Sequence, residues 1–257
     1  MFGRRKPTAS IFNPNNLNFV TMKILALDTA TQSCSVAIID GGALLAELTV
    51  VNTQTHSRHL MSLIHTVCGK VDLKSADMDG FAVSIGPGSF TGLRIGISTI
   101  KGMAFALDKP VVGVSSLEAL AWQSAQSAYL ICPLLDARKK EVYACRYRFD
   151  NNELKKDGSE KVLSPVEAVS GIREPSLFVG NAAQIYREVI SDELGDLAHF
   201  GAYGQHTIRA SSIAWLSKSS FDRQQTDDVA LLMPQYIRKS DAKITRHRKS
   251  TPTLLQK

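Results

Sequence analysis

The stretch that decides the fold of this chain is Gly86-Pro87-Gly88-Ser89-Phe90-Thr91-Gly92-Leu93-Arg94-Ile95-Gly96-Ile97. It follows the apolar run 81–85, which predicts a buried strand, and it leads into residues 91–107, which predict a helix. A glycine-rich turn between a strand and a helix presents backbone N–H groups at a helix N-terminus, which favours anion binding. The same arrangement also suits a loop that positions a helix to contact another subunit. The loop by itself leaves both interpretations open.

Composition restricts the class of protein. The chain has 257 residues, of which 44% are hydrophobic, as expected for one large or two small globular domains. The sequence contains no apolar run of about 18 residues, so it predicts no membrane-spanning helix, and we expect a cytoplasmic protein without membrane contact. The cysteines form no C-x-x-C pair and are expected to be small core residues. They are Cys34, Cys68, Cys132 and Cys145.

The net charge of +6 comes from the two ends of the chain. Residues 1–21 contain three basic residues and no acidic residue, and residues 241–257 contain five basic residues and one acidic residue. Met22 directly precedes the first predicted strand, so we expect residues 1–21 to be an N-terminal extension outside the fold. For the basic tail at 241–257, the alternatives are a solvated end and a segment that binds tRNA.

The order of predicted elements divides the chain into two similar α/β domains. In residues 22–127 strands and helices follow the order β-β-β-α-β-α-β-α, at 23–28, 34–39, 43–51, 56–68, 81–85, 91–107, 110–114 and 117–127. In residues 128–240 the sequence predicts a hairpin at 129–136 and 141–149, a polar loop at 151–158, a helix at 164–168, a strand at 176–180 and a helix at 182–190. A last helix at about 211–219, with Ser211 as its N-cap, is expected to pack back on the first domain. Two such domains with mixed sheets indicate the actin-like ATPase (ribonuclease H-like) fold.

Three motifs resemble one protein family. The first is the first predicted strand with its following turn, 22–31, together with 34–37 of the next strand. The second is the glycine-rich loop 86–96, and the third is the hairpin segment Asp136-Ala137-Arg138-Lys139-Lys140-Glu141-Val142-Tyr143. In this order they are similar to the TsaB (YeaZ) family, and the resemblance covers about residues 22–240.

The resemblance implies a role in making threonylcarbamoyladenosine at position 37 of tRNAs that read codons beginning with A. It implies a non-catalytic subunit that binds and supports the transferase TsaD, a paralogue of this chain. A small ATPase, TsaE, joins the two, and a homodimer forms when TsaD is absent. The family implies no cofactor for this chain alone, with ATP or ADP bound only within the complex, and contact with tRNA through the complex.

The turn Asp28-Thr29-Ala30-Thr31 stands where ATPases of this fold bind phosphate. Asp28 is a candidate to hold Mg²⁺ through water, and Thr29 and Thr31 are candidates to donate to phosphate. Active members of the fold have glycines in this turn, and none occurs here between Asp28 and Cys34. The turn is therefore a weak candidate, and an ATP-dependent small-molecule kinase of the actin-like fold is the alternative function.

Two histidines near the start of the helix at 56–68 resemble a metal-binding pair only in part. TsaD-type catalysts carry two histidines four residues apart, whereas His56 and His59 are three apart and Leu60 occupies the fourth position. The sequence shows no third ligand for such a pair, so we expect no metal.

The helices at 56–68 and 91–107 are apolar around more of their circumference than one packing face requires. One interpretation is that both belong to the core of a larger domain. The other, which the family resemblance supports, is that they form half of a four-helix bundle with a second subunit. The residues predicted at that interface are Leu60, Met61, Ile64, Arg94, Ile97, Ile100, Lys101 and Ala104.

Overall fold

The first domain is built on a five-stranded mixed sheet. The computed structural model describes residues 21–51, 56–151 and 153–238, so the expectations for residues 1–20 and 241–257 lie outside the described residues. The strands are β1 (Lys23–Asp28), β2 (Ser33–Asp40), β3 (Ala43–Val51), β4 (Gly80–Gly86) and β5 (Val111–Ser115). They lie in the order β3-β2-β1-β4-β5, with β1 antiparallel to β2 and parallel to β4.

The second domain repeats this arrangement. Its strands are β6 (Leu130–Asp136), β7 (Val142–Asp150), β8 (Glu153–Leu163), β9 (Ser176–Val179) and β10 (Ala198–Phe200). Their order is β10-β9-β6-β7-β8, and β6 is antiparallel to β7 and parallel to β9. Each central strand thus has a hairpin partner on one side and a parallel partner on the other. The predicted actin-like fold, two similar α/β domains with mixed sheets, is confirmed.

Seven α-helices in the described ranges cover the sheets. They are α1 (Leu60–Lys70), α2 (Phe90–Leu107), α3 (Ser116–Trp122), α4 (Pro165–Val169), α5 (Asn181–Ile185), α6 (Arg187–Leu194) and α7 (Ala210–Asp222). α1 and α2 pack on one face of the first sheet. α7 packs on β1, β2, β4 and β5 from the other face, and α3 contacts strands of both sheets. Side chains of α3 and α7 form one core with the second sheet, with Leu117 and Ile213 in the same cluster as Ile131 and Tyr147. None of the helices described is long and apolar enough to cross a membrane.

The segment expected to be a polar loop at 151–158 is largely part of strand β8. β8 is the outermost strand of its sheet, and most of its residues are exposed on both sides. Because most side chains of this edge strand face solvent, it lacks the alternation of apolar and polar residues that identifies a strand in a sequence. The helix predicted at 182–190 is likewise divided, because Tyr186 leaves the helical conformation between α5 and α6.

Helix α7 begins at Ala210, and its N-cap is Arg209 instead of the predicted Ser211. The helix needs no capping hydroxyl of its own, because its first N–H groups find acceptors on the first sheet. The N–H of Ala210 donates to the hydroxyl of Ser35 at 2.9 Å, and that of Ser211 donates to the carboxylate of Glu47 at 2.9 Å. These two bonds attach the start of α7 to the first domain.

The last described segment, residues 227–238, is called the C-terminal arm below. It crosses the first domain from β5 to the glycine-rich loop. The N–H of Asp227 donates to the first residue of β5 at 2.9 Å, and the N–H of Gln235 donates to the end of β4 at 2.7 Å. Between them Leu232 is buried in the core beside α2. The arm ends at Arg238, which reaches the second domain.

Candidate functional site

The glycine-rich loop lies directly on the turn that follows β1. The backbone N–H of Ser89 donates to the carbonyl of Ala30 at 2.7 Å, and the hydroxyl of Thr29 donates to the carbonyl of Gly92 at 2.8 Å. Ser89 also caps α2, because its hydroxyl accepts from the N–H of Gly92 at 3.2 Å. The loop, the turn after β1 and the start of α2 therefore form one hydrogen-bonded unit.

Two glycines of the loop are required by contact with the chain itself. A Cβ atom on Gly92 would lie 2.0 Å from the carbonyl oxygen of Thr29, and one on Gly88 would lie 2.4 Å from that of Ala30. A backbone carbonyl cannot move aside as a side chain can, so only glycine permits this approach. The other loop residues lie at the buried end of β4 or at the exposed start of α2, and they are Gly86, Pro87, Phe90 and Thr91.

The candidate phosphate-turn residues are used within the turn. The hydroxyl of Thr29 is bonded to α2, and that of Thr31 lies 2.8 Å from the hydroxyl of Ser33. The N–H of Ala30 donates to Asp28 at 3.2 Å, so it does not point to a ligand. The hydroxyls of Thr29 and Thr31 and the N–H of Ala30 therefore already have partners within the protein.

Asp28 is a fully buried carboxylic acid at the end of β1. Its Oδ1 accepts from the hydroxyl of Ser84 at 2.6 Å, and its Oδ2 has no hydrogen-bond partner among the residues that the structure describes. Burial raises the pKa of this carboxyl to about 7, and the hydrogen bond from Ser84 opposes the shift in part. Near neutral pH a large fraction of Asp28 is therefore protonated, which is a poor state for holding Mg²⁺.

A cleft of about 800 Å³ lies between the glycine-rich loop and the second domain. Thr31 and Phe90 line it from the first domain, and Arg138 and Asn181 line it from the second. The wall on the second domain is the turn between β6 and β7, which is the third motif singled out in the sequence. Nothing in the spacing of the motifs indicated that they would face each other across a cleft.

The histidine pair is not completed into a metal site within the described ranges. His56 lines the cleft, and its Nε2 lies 2.8 Å from the carbonyl oxygen of Thr31. His59 follows it immediately before α1. Across 21–51, 56–151 and 153–238, no three side chains of His, Cys, Asp or Glu come together in a group that could hold a metal ion. All four cysteines are buried and free, as predicted for core residues.

Five of the residues predicted at a subunit interface belong to the core of the first domain. They are Leu60, Ile64, Ile97, Ile100 and Ala104, each at most 3% exposed. They pack with side chains of β1, β2 and β4 in one cluster. Apolar residues three and four positions apart form the face by which each helix rests on its own sheet. This corrects the sequence-based assignment, because these side chains have no surface for another subunit.

Two further predicted interface residues, Arg94 and Lys101, are engaged by the C-terminal arm. The ammonium group of Lys101 donates to two carbonyls of the arm, at 2.8 and 3.2 Å. The Nε of Arg94 donates to the hydroxyl of Tyr236 at 2.9 Å, and its guanidinium lies 3.7 Å from the centre of the Phe90 ring. Both cations hold the arm against α2, and their assignment as intersubunit contacts stays a prediction.

The outer face of α1 and α2 carries apolar and small residues. Met61 on α1 is 58% exposed, and Phe105 on α2 is 86% exposed. Ser98 and Gly102 precede Phe105 on the same side of α2, and a Cβ on Gly102 would meet no atom within 4 Å. Of the eight predicted interface residues, Met61 and Arg94 are exposed, and Arg94 lies four positions before Ser98 on α2. The sequence analysis did not select Phe105, although its spacing from Ser98 and Gly102 places it on their side of the helix.

Several known proteins are similar to this chain over most of its length. A family model described as TsaD, tRNA N6-adenosine threonylcarbamoyltransferase, matches residues 46–246. The tRNA threonylcarbamoyladenosine biosynthesis protein TsaB of Bacillus subtilis is 33% identical over 224 residues, which cover 86% of this chain and 96% of that protein. The chain belongs to the TsaB family. TsaB of Haemophilus influenzae is also similar to this chain, with 29% identity over a match that covers 82% of this chain and 93% of that protein.

A solved structure supports the same assignment to the TsaB (YeaZ) family. YeaZ from Pseudomonas aeruginosa superposes with a TM-score of 0.72 at 28% identity, and the match covers 84% of this chain and 99% of that protein. The matching family model carries the name of the transferase, whereas the relatives matched almost from end to end carry the name TsaB. In this TsaB-family chain each of the three motifs that supported the resemblance contributes residues to the cleft, among them Thr31, Gly88 and Arg138.

Proposed function

We propose that this TsaB-family chain is a non-catalytic subunit of the cytoplasmic complex that makes threonylcarbamoyladenosine at position 37 of tRNA. It binds and supports the transferase TsaD through the outer face of α1 and α2. A second copy of the chain occupies the same face when TsaD is absent. TsaE joins the complex, ATP or ADP binds only there, and tRNA is contacted through it.

The outer face of α1 and α2 is the observation that carries this proposal. It combines Met61 and Phe105, two large apolar side chains exposed to water, with the flat surface at Ser98 and Gly102. Exposed apolar side chains beside small residues allow a second pair of helices to approach closely and form a four-helix bundle. The match to the TsaD family model includes α1 and α2. TsaD therefore has a corresponding region, and related helix pairs are suited to pack against each other.

The packing of the turn after β1 supports an accessory role over catalysis. A kinase of this fold needs backbone N–H groups directed at phosphate, and here the N–H of Ala30 donates to the carboxylate of Asp28 instead. Calorimetry with ATP and Mg²⁺ on the isolated chain separates the two functions. Micromolar binding would favour the kinase, and its absence is expected for the partner subunit.

We expect the double substitution Met61→Glu and Phe105→Glu to abolish co-purification with TsaD, with affinity reduced at least about 100-fold. Both side chains are exposed, so new charges there do not disturb the core. The matched control is Tyr203→Glu in the second domain, where the ring is 92% exposed. Size-exclusion chromatography of the mixture measures the effect. An unchanged heterodimer with the double variant would show that this face is not the interface.

Reconstitution of the modification tests the function itself. TsaD, TsaE and the enzyme that supplies threonylcarbamoyl-adenylate are incubated with tRNA, with and without this chain. Modification should depend on the chain and should be lost with the Met61→Glu, Phe105→Glu variant. Full activity in the absence of the chain would refute the proposal.

A further inference from the structure

Large hydrophobic side chains that are almost fully exposed are concentrated on α2 and on the C-terminal arm. In the described ranges, four such side chains are at least 70% exposed, namely Phe105, Leu231, Met233 and Tyr203. Phe105 is on α2, at 86%, and Leu231 and Met233 are on the arm, at 72% and 70%. Single exposed apolar residues are normal on a protein surface, whereas a group of them marks a surface that another molecule covers.

The arm is held on α2 at the point where these side chains occur. The ammonium group of Lys101 donates to the carbonyl of Ala230 at 2.8 Å and to that of Leu232 at 3.2 Å. These two carbonyls flank Leu231. The side chain of Leu232 packs into the core of the first domain, and its neighbours Leu231 and Met233 project into solvent.

Further bonds attach the arm on both sides of Lys101. The N–H of Asp227 donates to the first residue of β5 at 2.9 Å, and the N–H of Gln235 donates to the end of β4 at 2.7 Å. After Gln235, the ring of Tyr236 stacks on that of Phe90, with the ring centres 5.2 Å apart. An arm fixed in this way loses little conformational freedom when a partner covers it. Its exposed apolar side chains are therefore preorganised for binding.

The arm lies within reach of a partner that docks on the outer face of α1 and α2. Phe105 is four positions after Lys101, which is about 6 Å farther along the helix axis. A helix with its side chains is about 10 Å in diameter, so a pair of helices placed over Phe105 is wide enough to reach Leu231. The arm therefore continues the outer face of α1 and α2 at its edge.

The outer face of the two helices alone is small for a stable interface. α1 has 11 residues and α2 has 18, which correspond to lengths of about 17 and 27 Å. At a width of about 10 Å each, the two helices offer about 440 Å² in projection. A stable complex buries about 800 Å² of surface on each partner. A partner docked on these helices therefore needs further surface beside them, and the arm supplies it.

We propose that residues 230–236 of the arm are part of the surface that docks TsaD, with Leu231 and Met233 packed against that subunit beside the helix pair. The inference rests on the proposed function, which supplies TsaD as the occupant of the outer face. The region of TsaD opposite the arm is apolar. Leu231 and Met233 offer apolar area, and the carbonyls beside Leu231 are already bonded to Lys101.

The test is the double variant Leu231→Ser, Met233→Ser in the full chain, titrated with purified TsaD by isothermal calorimetry. Both side chains are exposed, so the variant should fold normally, and its affinity for TsaD should fall at least about tenfold. The matched control is Val51→Ser, Val166→Ser, at two positions 65% and 46% exposed elsewhere on the protein. The control should bind within about twofold of the original protein. Unchanged affinity in the arm variant, or an equal loss in the control, would overturn the inference.

Hydrogen exchange measured by mass spectrometry tests the same contact without a substitution. Addition of TsaD to the original protein should slow the exchange of amide hydrogens at 230–236, because the arm becomes covered. Peptides around Val166 in the second domain are the internal control and should exchange at the same rate with and without TsaD. Exchange of the arm that does not change when TsaD is bound would show that TsaD does not cover it.

The variant Met61→Glu, Phe105→Glu separates failure of this inference from failure of the proposed function. If it binds TsaD as tightly as the original protein, the proposed function fails, and this inference fails with it. If it loses TsaD and the arm variant does not, this inference fails alone. An arm variant that binds TsaD normally and loses only self-association would assign the arm to a second copy of the chain, which also overturns the inference.

Discussion

Asp28 shows how a single residue can keep a position in the fold and have a different chemical state. It follows the first strand, where an ATPase of this fold needs an ionised carboxylate. Here the side chain is fully buried, with one oxygen bonded to Ser84 and the other without a hydrogen-bond partner in the described part of the chain. The cost of burying a charge raises the pKa of Asp28 to about 7. The residue type was evident in the sequence, but its protonation depends on neighbours that are distant along the chain.

This pKa predicts a pH-dependent stability. The folded protein keeps the proton up to about pH 7, whereas the unfolded chain releases it near pH 4. Between these two pH values the folded state binds more protons than the unfolded state. The contribution of Asp28 to the free energy of unfolding is therefore lost as pH rises through this range, and it no longer changes above both pKa values. Relative to Asp28→Asn, the original protein should lose about 2–3 kcal/mol of unfolding free energy between pH 5 and pH 8. Urea unfolding at the two pH values measures this difference, and a pH-independent difference would contradict the assignment.

At the scale of the element, α2 has a buried side and an outward side. The buried side rests on the first sheet through Ile97 and Ile100. On the outward side, Arg94 and Lys101 hold the C-terminal arm, and Phe105, four positions after Lys101, remains exposed. The apolar excess in the sequence indicated more than one packing face, but it did not indicate that the chain's own arm contacts this helix.

The glycines of α2 predict opposite effects of the same substitution. Gly92→Ala places a methyl group 2.0 Å from the carbonyl oxygen of Thr29 and should destabilise the protein by about 2–4 kcal/mol. Gly102→Ala adds a methyl group in open space on the same helix and should stabilise it by about 0.5–1 kcal/mol. Thermal or urea unfolding of the two variants measures both effects. Equal changes in unfolding free energy for the two variants would mean that the close contact between Gly92 and the turn after β1 does not restrict the side chain at position 92.

At the scale of the whole molecule, the two domains are connected by a buried polar cluster as well as by apolar packing. Glu160 on β8 is 4% exposed and accepts from the hydroxyl of Ser115 at 2.5 Å. Ser115 caps α3, so this bond links the second sheet to the first domain. Lys156 also donates to the Glu160 carboxylate, at 2.9 Å. The cluster adjoins the core that α3 and α7 share with the second sheet.

We expect Glu160→Ala to destabilise both domains together, by about 2–3 kcal/mol, because it leaves Ser115 and Lys156 without their buried acceptor. Glu153→Ala, at the exposed start of the same strand, is the control and should change stability by less than about 0.5 kcal/mol. Differential scanning calorimetry should show one transition that moves as a unit. Two separate transitions, with only one of them shifted, would show that the domains unfold independently.

The sequence by itself determined the fold class, the family and the order of the main elements, because these depend on local patterns: apolar runs for the central strands, helical spacing for α1 and α2, and glycines in the loop at 86–92. It could not identify β8, since an exposed edge strand has no such pattern. Only the tertiary structure decided which side of each helix is free and what the glycines contact. Both depend on segments that are far apart along the chain, such as the arm on α2 and the turn after β1 on Gly92. The loop at 86–92 was therefore part of one of the three motifs that indicated the family, and the packing around it showed which surfaces stay exposed.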